Sequence, residues 1–247
     1  METLRSCIIT EQGYTFISLD AIQIELKVLA ILSQDPKMLE DLRTGDLHLA
    51  TAIRMFGYTD DGDLMGKRRY DAKQGNFALV YDAGEERLAM MLECTVEESL
   101  EFMADHKAAY PVLYQWMDTT KAKVKEDGFT VNMFGRIRPL PELSAGSWRM
   151  RENAEREIVN TIVQGTAVDI VKLCMIQLRK DILDPSIRIV LQVHDEILLE
   201  CPDIILKDTI LNIIEELPLR FPDYPFSMKI GKCYGELKDV KTDIDSL

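Results

Sequence analysis

Ile187-Arg-Ile-Val-Leu-Gln-Val193, His194-Asp195-Glu196 and Ile197-Leu-Leu-Glu-Cys201 read in succession as strand, turn and strand. β-Branched and aliphatic residues dominate both arms, as in a strand pair packed on a core. The turn is unusual. It lacks the Asn-Gly or Asp-Gly pair that a tight hairpin prefers, and it carries a histidine and two acids at its tip. Poor turn chemistry is tolerated best at a functional site. A second acid occupies a similar position near the start of the chain, where Thr15-Phe-Ile-Ser-Leu19 reads as a strand and Asp20 follows it. Two carboxylates on adjacent strand ends of one sheet repel unless a cation lies between them. Magnesium shared between carboxylates and substrate phosphates is the usual arrangement. A pair of solvated turn acids is the other reading of the same residues.

Outward from these two points the pattern changes period. Ser6–Thr10 reads as a first strand, joined to Thr15–Leu19 by Glu11-Gln12-Gly13. A helix is predicted from Ile22 to Leu32, stopped by Asp35-Pro36, and another from Leu47 to Phe56, ended by Gly57. Gly66 to Tyr81 reads as a helix with a cationic start, and helical pattern continues with interruptions through Glu97–Asp127. Phe129–Phe134 reads as a strand closed by Gly135, and Glu152–Asn160 as a helix. Gly165 is expected to break that helix, and Thr166-Ala-Val-Asp169 to cap a new one running to Leu183. A helix near Ile204–Leu217 and a strand at Phe226–Ile230 complete the chain. Strands at both ends around a helical middle predict an α+β fold, an antiparallel sheet interrupted by a mainly helical insertion.

Composition bounds the partners only loosely. Nearly half of the 247 residues are apolar, enough for a sizeable core. No signal peptide or membrane-length apolar run is read, so no membrane partner and a cytoplasmic location are expected. Five scattered cysteines fit a reduced compartment. The net charge of −13 argues mildly against nucleic acid. Net charge, however, does not describe local fields, and the cations are clustered at Lys67-Arg68-Arg69, Lys73, Lys121 to Lys125 and Arg136 to Arg156.

Arg69, Lys73, Phe77 and Tyr81 recur every fourth residue, so they spiral along one helix face with about 40° of drift per step. Two cations followed by two rings suit a triphosphate and a base. An amphipathic helix with a solvated basic end has the same pattern. Arg156, Asn160 and Gln164 repeat the spacing with side chains that reach phosphates and base edges, or simply face water.

The ordered set of blocks is more specific than any one of them. Asp20-Ala-Ile-Gln-Ile-Glu25 resembles motif A of the family A DNA polymerases, the bacterial DNA polymerase I type. Arg69-Tyr-Asp-Ala-Lys73-Gln-Gly-Asn-Phe77-Ala-Leu-Val-Tyr81 resembles motif B, and Leu191-Gln-Val-His194-Asp195-Glu196 resembles motif C. Gly45-Asp-Leu-His48, Phe134-Gly-Arg-Ile-Arg and Val163-Gln164-Gly-Thr-Ala-Val-Asp169 look like further family blocks, in the right order. The resemblance implies a palm at residues 1–45 and 129–247 around fingers at 46–128. It implies a DNA-directed DNA polymerase using two Mg2+ ions (Mn2+ can substitute), with primer–template DNA and dNTPs as partners.

By the same resemblance Asp20, Asp195 and the main-chain carbonyl of Ala21 are metal ligands, and Glu196 is an accessory acid. Arg69, Lys73 and His48 hold the triphosphate, with Lys73 also a proton donor to pyrophosphate. Phe77 packs on the deoxyribose, Tyr81 lies by the templating base, and Glu25 beside Gln23 is the steric gate against a ribose 2′-hydroxyl. Arg156, Asn160, Gln164 and His194 contact template and primer. Ala78 and Asp82 stand where the family has Gly, and loss of Gly restricts φ. Thumb and exonuclease blocks have no counterpart in these residues, so the expectation is either a fragment of a longer polymerase or a polymerase split with a second chain carrying thumb and/or exonuclease, in a bacterial or phage setting. A catalytically silent DNA-binding remnant is the alternative. A single-subunit RNA polymerase is disfavoured by Glu25 and Phe77.

Overall fold

The computed structural model describes residues 2–240. Along the chain a short helix α1 (Glu2–Arg5) precedes strand β1 (Tyr14–Ala21) and helices α2 (Ile24–Ser33), α3 (Pro36–Arg43), α4 (Leu47–Phe56) and α5 (Gly62–Val80). Helices α6 (Glu85–Leu92), α7 (Val96–Ala109) and α8 (Pro111–Asp127) follow, then the hairpin β2 (Phe129–Val131) and β3 (Ile137–Pro139). Helix α9 (Trp148–Gln177) leads to β4 (Arg188–Val193) and β5 (Glu196–Pro202), then α10 (Leu206–Arg220), β6 (Phe226–Gly231) and β7 (Lys238–Asp239). The chain up to Ile24, with the chain from Ala167 onward, forms one compact unit; Glu25–Thr166 forms the other. The fold is α+β, as expected.

The first unit is built on one antiparallel sheet of order β4-β5-β1-β6-β7. β1 lies at its centre, with Ile17 and Leu19 fully buried. Alternation assigns the faces. Phe16, Ser18 and Asp20 share one face with Glu200, Leu198 and Glu196, to which the register pairs them in turn. Phe16, Leu198 and Tyr234 form a buried cluster there. Ile17, Leu19, Ile197 and Leu199 point to the other face, where Leu19, Ile213 and Leu217 of α10 line an apolar pocket with Phe226 and Met228.

The second unit is mainly helical. α4 and α5 pack together, and Ala78, Leu79, Ala83, Leu88 and Phe102 form a core cluster. Gly75 is required by this packing: a Cβ there would sit 2.6 Å from the Phe102 ring. A second cluster joins Val124, Leu140, Ile158 and Ile162. The fully buried Asp35 ties the unit together. One carboxylate oxygen accepts from the backbone N–H of Lys37 and Met38 and caps α3; the other accepts from Val112 and Leu113 in the first turn of α8. Helix N-termini leave such donors unsatisfied, and a carboxylate also complements their partial positive charge.

Several boundaries differ from the sequence reading. Ser6–Thr10 forms no strand beyond a single bridge, Ile9 to Cys233. Asp35-Pro36 does stop α2, but it also starts α3, because Asp caps and Pro suits a first helical turn. Asp61 caps α5 four residues before the expected start. The strand from Phe129 ends at Val131, and Asn132 turns the chain into β3 by accepting from the N–H of Phe134 and Arg136.

Gly165 does not break α9, and Thr166 caps nothing. The helix is continuous from Trp148 to Gln177, and the Thr166 hydroxyl donates to the Ile162 carbonyl one turn back. Gly165 instead makes room for Asn132, 3.7 Å from where its Cβ would be, while Thr166 Oγ1 accepts from the Met133 N–H. The stretch Trp148–Lys180 is also long and apolar enough to cross a membrane, which the sequence reading missed. Over half of its most apolar window is buried, and Ile158, Val159, Val163 and Ile170 are core residues, so the apolar content is that of a core helix.

Asp35→Ala orphans donors at the start of two helices. Each such cap is worth about 0.5–2 kcal/mol, so a loss of roughly 1–4 kcal/mol is expected in urea unfolding. A loss below about 0.5 kcal/mol, the level of an ordinary surface change, contradicts the double-cap account.

Candidate active site

In the sheet unit, β1 and β5 bring the predicted acids together. Asp20 pairs in register with Glu196, and the Ala21 N–H donates to the Asp195 carbonyl at 3.2 Å. The turn is only His194 and Asp195, since Val193 pairs directly with Glu196. His194 adopts φ 55°, the left-handed region that costs a non-glycine residue conformational energy. Gln192 braces it by donating to the His194 carbonyl at 2.7 Å.

The three acids are not equivalent. Glu196 is tied back: one oxygen accepts from Ser18 Oγ at 2.6 Å and the other from the Tyr234 hydroxyl at 2.5 Å, with Arg5 3.5 Å away. Burial, reinforced by the Glu196 carboxylate, pushes the Tyr234 hydroxyl up to about 12, so it stays a donor. Asp20 is exposed and Asp195 half-exposed. Carboxylate oxygens with one backbone carbonyl are hard donors suited to Mg2+. Among the described residues no three His, Cys, Asp or Glu side chains cluster into a protein-only cage. Gln23, at φ 53°, marks the bend between β1 and α2.

In the helical unit, α5 carries Arg69, Lys73 and Phe77, and Tyr81 is its C-terminal cap. Asp46 organises the cationic end. Its Oδ1 caps α4 through the N–H of His48 and Leu49, and its Oδ2 accepts from Arg69 Nε at 2.5 Å. Lys73 is exposed and His48 buried. The His48 and Phe77 rings lie 5.7 Å apart, and Phe77 stacks on Tyr81 at 6.2 Å. The Tyr81 hydroxyl donates to the Glu25 carboxylate and also engages Gln164. Burial, with the Glu25 carboxylate in support, raises its pKa well above the usual tyrosine range.

Arg156, Asn160 and Gln164 lie on one unbroken face of α9, not across a break, and Arg156 pairs with Glu152. Asp82 keeps the left-handed conformation, φ 59°, despite not being Gly, and its carboxylate pairs with Lys121 at 2.9 Å. Asp tolerates this region better than most residues.

The sequence reading missed Asp46, Asn76, His106, Ser18 and Tyr234. Asp46 was legible as an N-cap and Ser18 as the same-face neighbour of Asp20. Nothing local marks the other three. Asn76 is 1% exposed and hydrogen-bonds His48, Thr51 and His106, so His106 is part of a buried polar network.

Burial lowers His48 to about 4, with Asp46 opposing and the Arg69 and Lys73 charges assisting. Burial lowers His106 to about 3, assisted by Arg54 and opposed by Asp35. Both imidazoles are therefore neutral in the folded state, while in the unfolded chain they charge near pH 6.5. The unfolded state binds more protons in that window, so stability falls as pH drops from about 6.5 toward 4 and below. Urea midpoints measured from pH 7.5 to 4.5 should decline, and His106→Gln should make that decline shallower. A wild-type midpoint that holds constant across the range rules this out.

The sequence profile described as DNA polymerase family A matches residues 1–230. The chain is 37% identical over 203 residues to the thermostable DNA polymerase I of Thermus thermophilus, covering 81% of this chain and 24% of that protein. It is 35% identical over 196 residues to DNA polymerase I of Geobacillus stearothermophilus, covering 78% of this chain and 22% of that one. Among solved structures, the POL domain of Pol1 from M. smegmatis, in complex with DNA primer–template and dNTP, superposes with a TM-score of 0.84 at 30% identity, covering 95% of this chain and 42% of that one. The chain spans about a quarter of the length of the curated relatives it matches. With its profile match across residues 1–230, this α+β chain belongs to DNA polymerase family A.

Proposed function

We propose that this chain is the palm and fingers of a template-directed DNA polymerase, adding dNMP from dNTP to a primer 3′-hydroxyl. The observation that carries the reading is the unequal exposure of three neighbouring acids: Glu196 accepts from Ser18 and Tyr234, while Asp20 on β1 is exposed and Asp195, in the turn before β5, is partly exposed. Asp20, Asp195 and the Ala21 carbonyl would hold two Mg2+ ions, with Mn2+ able to substitute. When bound, the ions lower the pKa of the primer hydroxyl and neutralise charge on the triphosphate.

The chain's own residues do the positioning on which phosphoryl transfer mainly depends. Arg69, aligned by Asp46, and Lys73 bind the triphosphate, and Lys73 donates a proton to leaving pyrophosphate in this reading. His48 adds a neutral donor. Phe77 supports the deoxyribose, and Glu25, beside Gln23, fills the space of a ribose 2′-hydroxyl. The Glu25–Tyr81 hydrogen bond fixes that carboxylate and holds Tyr81 at the templating-base position. Arg156, Asn160, Gln164 and His194 face template and primer. Palm residues are assigned to 1–45 and 129–247, and fingers to 46–128. DNA grip from a thumb would come from outside these residues, in a second chain if the polymerase is split. Such an enzyme works in the cytoplasm of a bacterium or a phage-infected cell.

Asp195→Ala should reduce Mg2+-dependent primer extension by more than about a hundredfold, a barrier increase of ~2.7 kcal/mol. The assay uses the chain alone and with any thumb-bearing partner recovered from its native source. Extension at the wild-type rate by Asp195→Ala eliminates the metal-site assignment, and a wild-type preference for rNTPs eliminates the DNA polymerase reading. Glu25→Ala should raise rNTP use relative to dNTP at least about tenfold, or ~1.4 kcal/mol of discrimination. Unchanged discrimination removes Glu25 as the gate.

A further inference from the structure

Four side chains, three of them buried, form a continuous hydrogen-bonded line through Asn76 of α5. The Tyr114 hydroxyl lies 2.9 Å from His106 Nδ1. His106 Nε2 lies 3.0 Å from Asn76 Oδ1, and Asn76 Nδ2 lies 3.1 Å from His48 Nδ1. Asn76 and His106 are 1% and 2% exposed, and His48 is 2% exposed, so water does not supply these partners. Thr51 Oγ1 sits within 3.3 Å of both Asn76 amide atoms, so it does not choose between the two orientations of that amide.

We propose that His106 is a positioning residue that fixes His48 as its Nε2–H tautomer, acting through Asn76. This rests on the reading of His48 as a triphosphate-binding residue. Each link allows one donor. Tyr114 keeps its proton, because burial foremost, with the Asp82 charge in support, raises its pKa above the usual range. The Asn76 amide presents Oδ1, an acceptor, to His106 Nε2 and Nδ2, a donor, to His48 Nδ1, so His106 carries its proton on Nε2 and its Nδ1 accepts from the Tyr114 hydroxyl. A neutral imidazole with one nitrogen accepting carries its proton on the other. His106 Nε2–H then donates to Asn76 Oδ1, which holds the amide NH2 toward His48 Nδ1. His48 is left with Nε2–H, on the ring edge away from Asn76.

The reverse orientation of the amide would put a lone pair there, facing away from Asn76 and against any phosphate oxygen. Burial foremost, opposed by Asp46 and assisted by the Arg69 and Lys73 charges, keeps this imidazole neutral beside two cations that suit an anion. A neutral donor of fixed polarity adds a directed hydrogen bond without another mobile charge. Hydrogen bonds to charged groups are the stronger ones, and preorganised donors need no reorganisation on binding.

The chain has only three histidines, so selective labelling resolves them. Long-range 1H–15N spectra of the full chain should show His48 as one tautomer, with Nε2 protonated. His106→Gln keeps both a donor and an acceptor and should preserve that state. His106→Phe keeps the ring shape without a donor and should yield a mixture of His48 tautomers. Asn76→Asp presents only acceptors and should shift His48 toward Nδ1–H, which keeps the test open should His106→Phe fold poorly. A His48 that stays purely Nε2–H in both His106→Phe and Asn76→Asp, or that is Nδ1–H in the wild type, overturns the proposal.

Kinetics then separate the lock from the function it rests on. His106→Phe should raise KM for dNTP several-fold with kcat changed less than twofold, and His106→Gln should restore KM. If the His48 tautomer unlocks while KM stays at the wild-type value, the phosphate-binding role of His48 is overturned and the lock itself is upheld.

Discussion

The pairing of β1 with β5 is the constraint on which the rest of the site depends. These strands are far apart in sequence; Ser18 and Glu196, hydrogen-bonded to each other, are 178 positions apart. Joining them means closing a loop that holds the whole helical unit, and such non-local contacts come at an entropic cost before burial compensates. The compensation is visible in Ile17, Leu19, Ile197 and Leu199, all essentially inaccessible to water. A slip of one residue in this pairing would send every one of them to the opposite face. The same slip would separate Asp20 from Glu196, so the core and the acid site are specified by a single register.

That coupling explains which parts of the molecule were legible in sequence. β-Branched and aliphatic runs over Thr15–Leu19 and Ile187–Cys201 located β1, β4 and β5 to within two residues at each end, although β1 and β5 are buried on both faces and β4 only partly. Ser6–Thr10 has similar composition but only a lone bridge at Ile9, 69% exposed. β-Branched residues state a preference for a pleated, half-buried surface, and nothing covers that surface there. Gly165 misled for a related reason. Glycine weakens a helix locally, but here the space it leaves is taken up by Asn132, and that contact is invisible to any local window.

The position of the acids on neighbouring strand ends was legible; their different surroundings were not. Alternation could place Ser18 on the face of Asp20, but not say that it holds Glu196. Tyr234 comes from a short turn after β6 and carries no motif. It reaches the site only because Cys233 bridges back to Ile9 and the Tyr234 N–H donates to the Ile8 carbonyl. Residues that touch the reaction must have particular chemistry and so leave a signature. Residues that hold them in place need only a donor at the right position, which many side chains supply.

The helical unit makes the same point with buried polar groups. Asp35, Asp41, Asn76 and His106 are each nearly inaccessible, and each is fully engaged. Asp41 is held low although burial alone would raise it, because Lys37, Arg54 and the Tyr110 hydroxyl all donate to it. In a low-dielectric interior a polar network stabilises only when every member is satisfied, since each unsatisfied group costs its full desolvation. Completeness is therefore also what fixes direction. A chain of single donors and acceptors running from Tyr114 to His48 has few consistent proton arrangements, and packing that excludes water leaves no solvent molecule to scramble them. Order at Tyr114 thus becomes a property of the His48 ring three hydrogen bonds away.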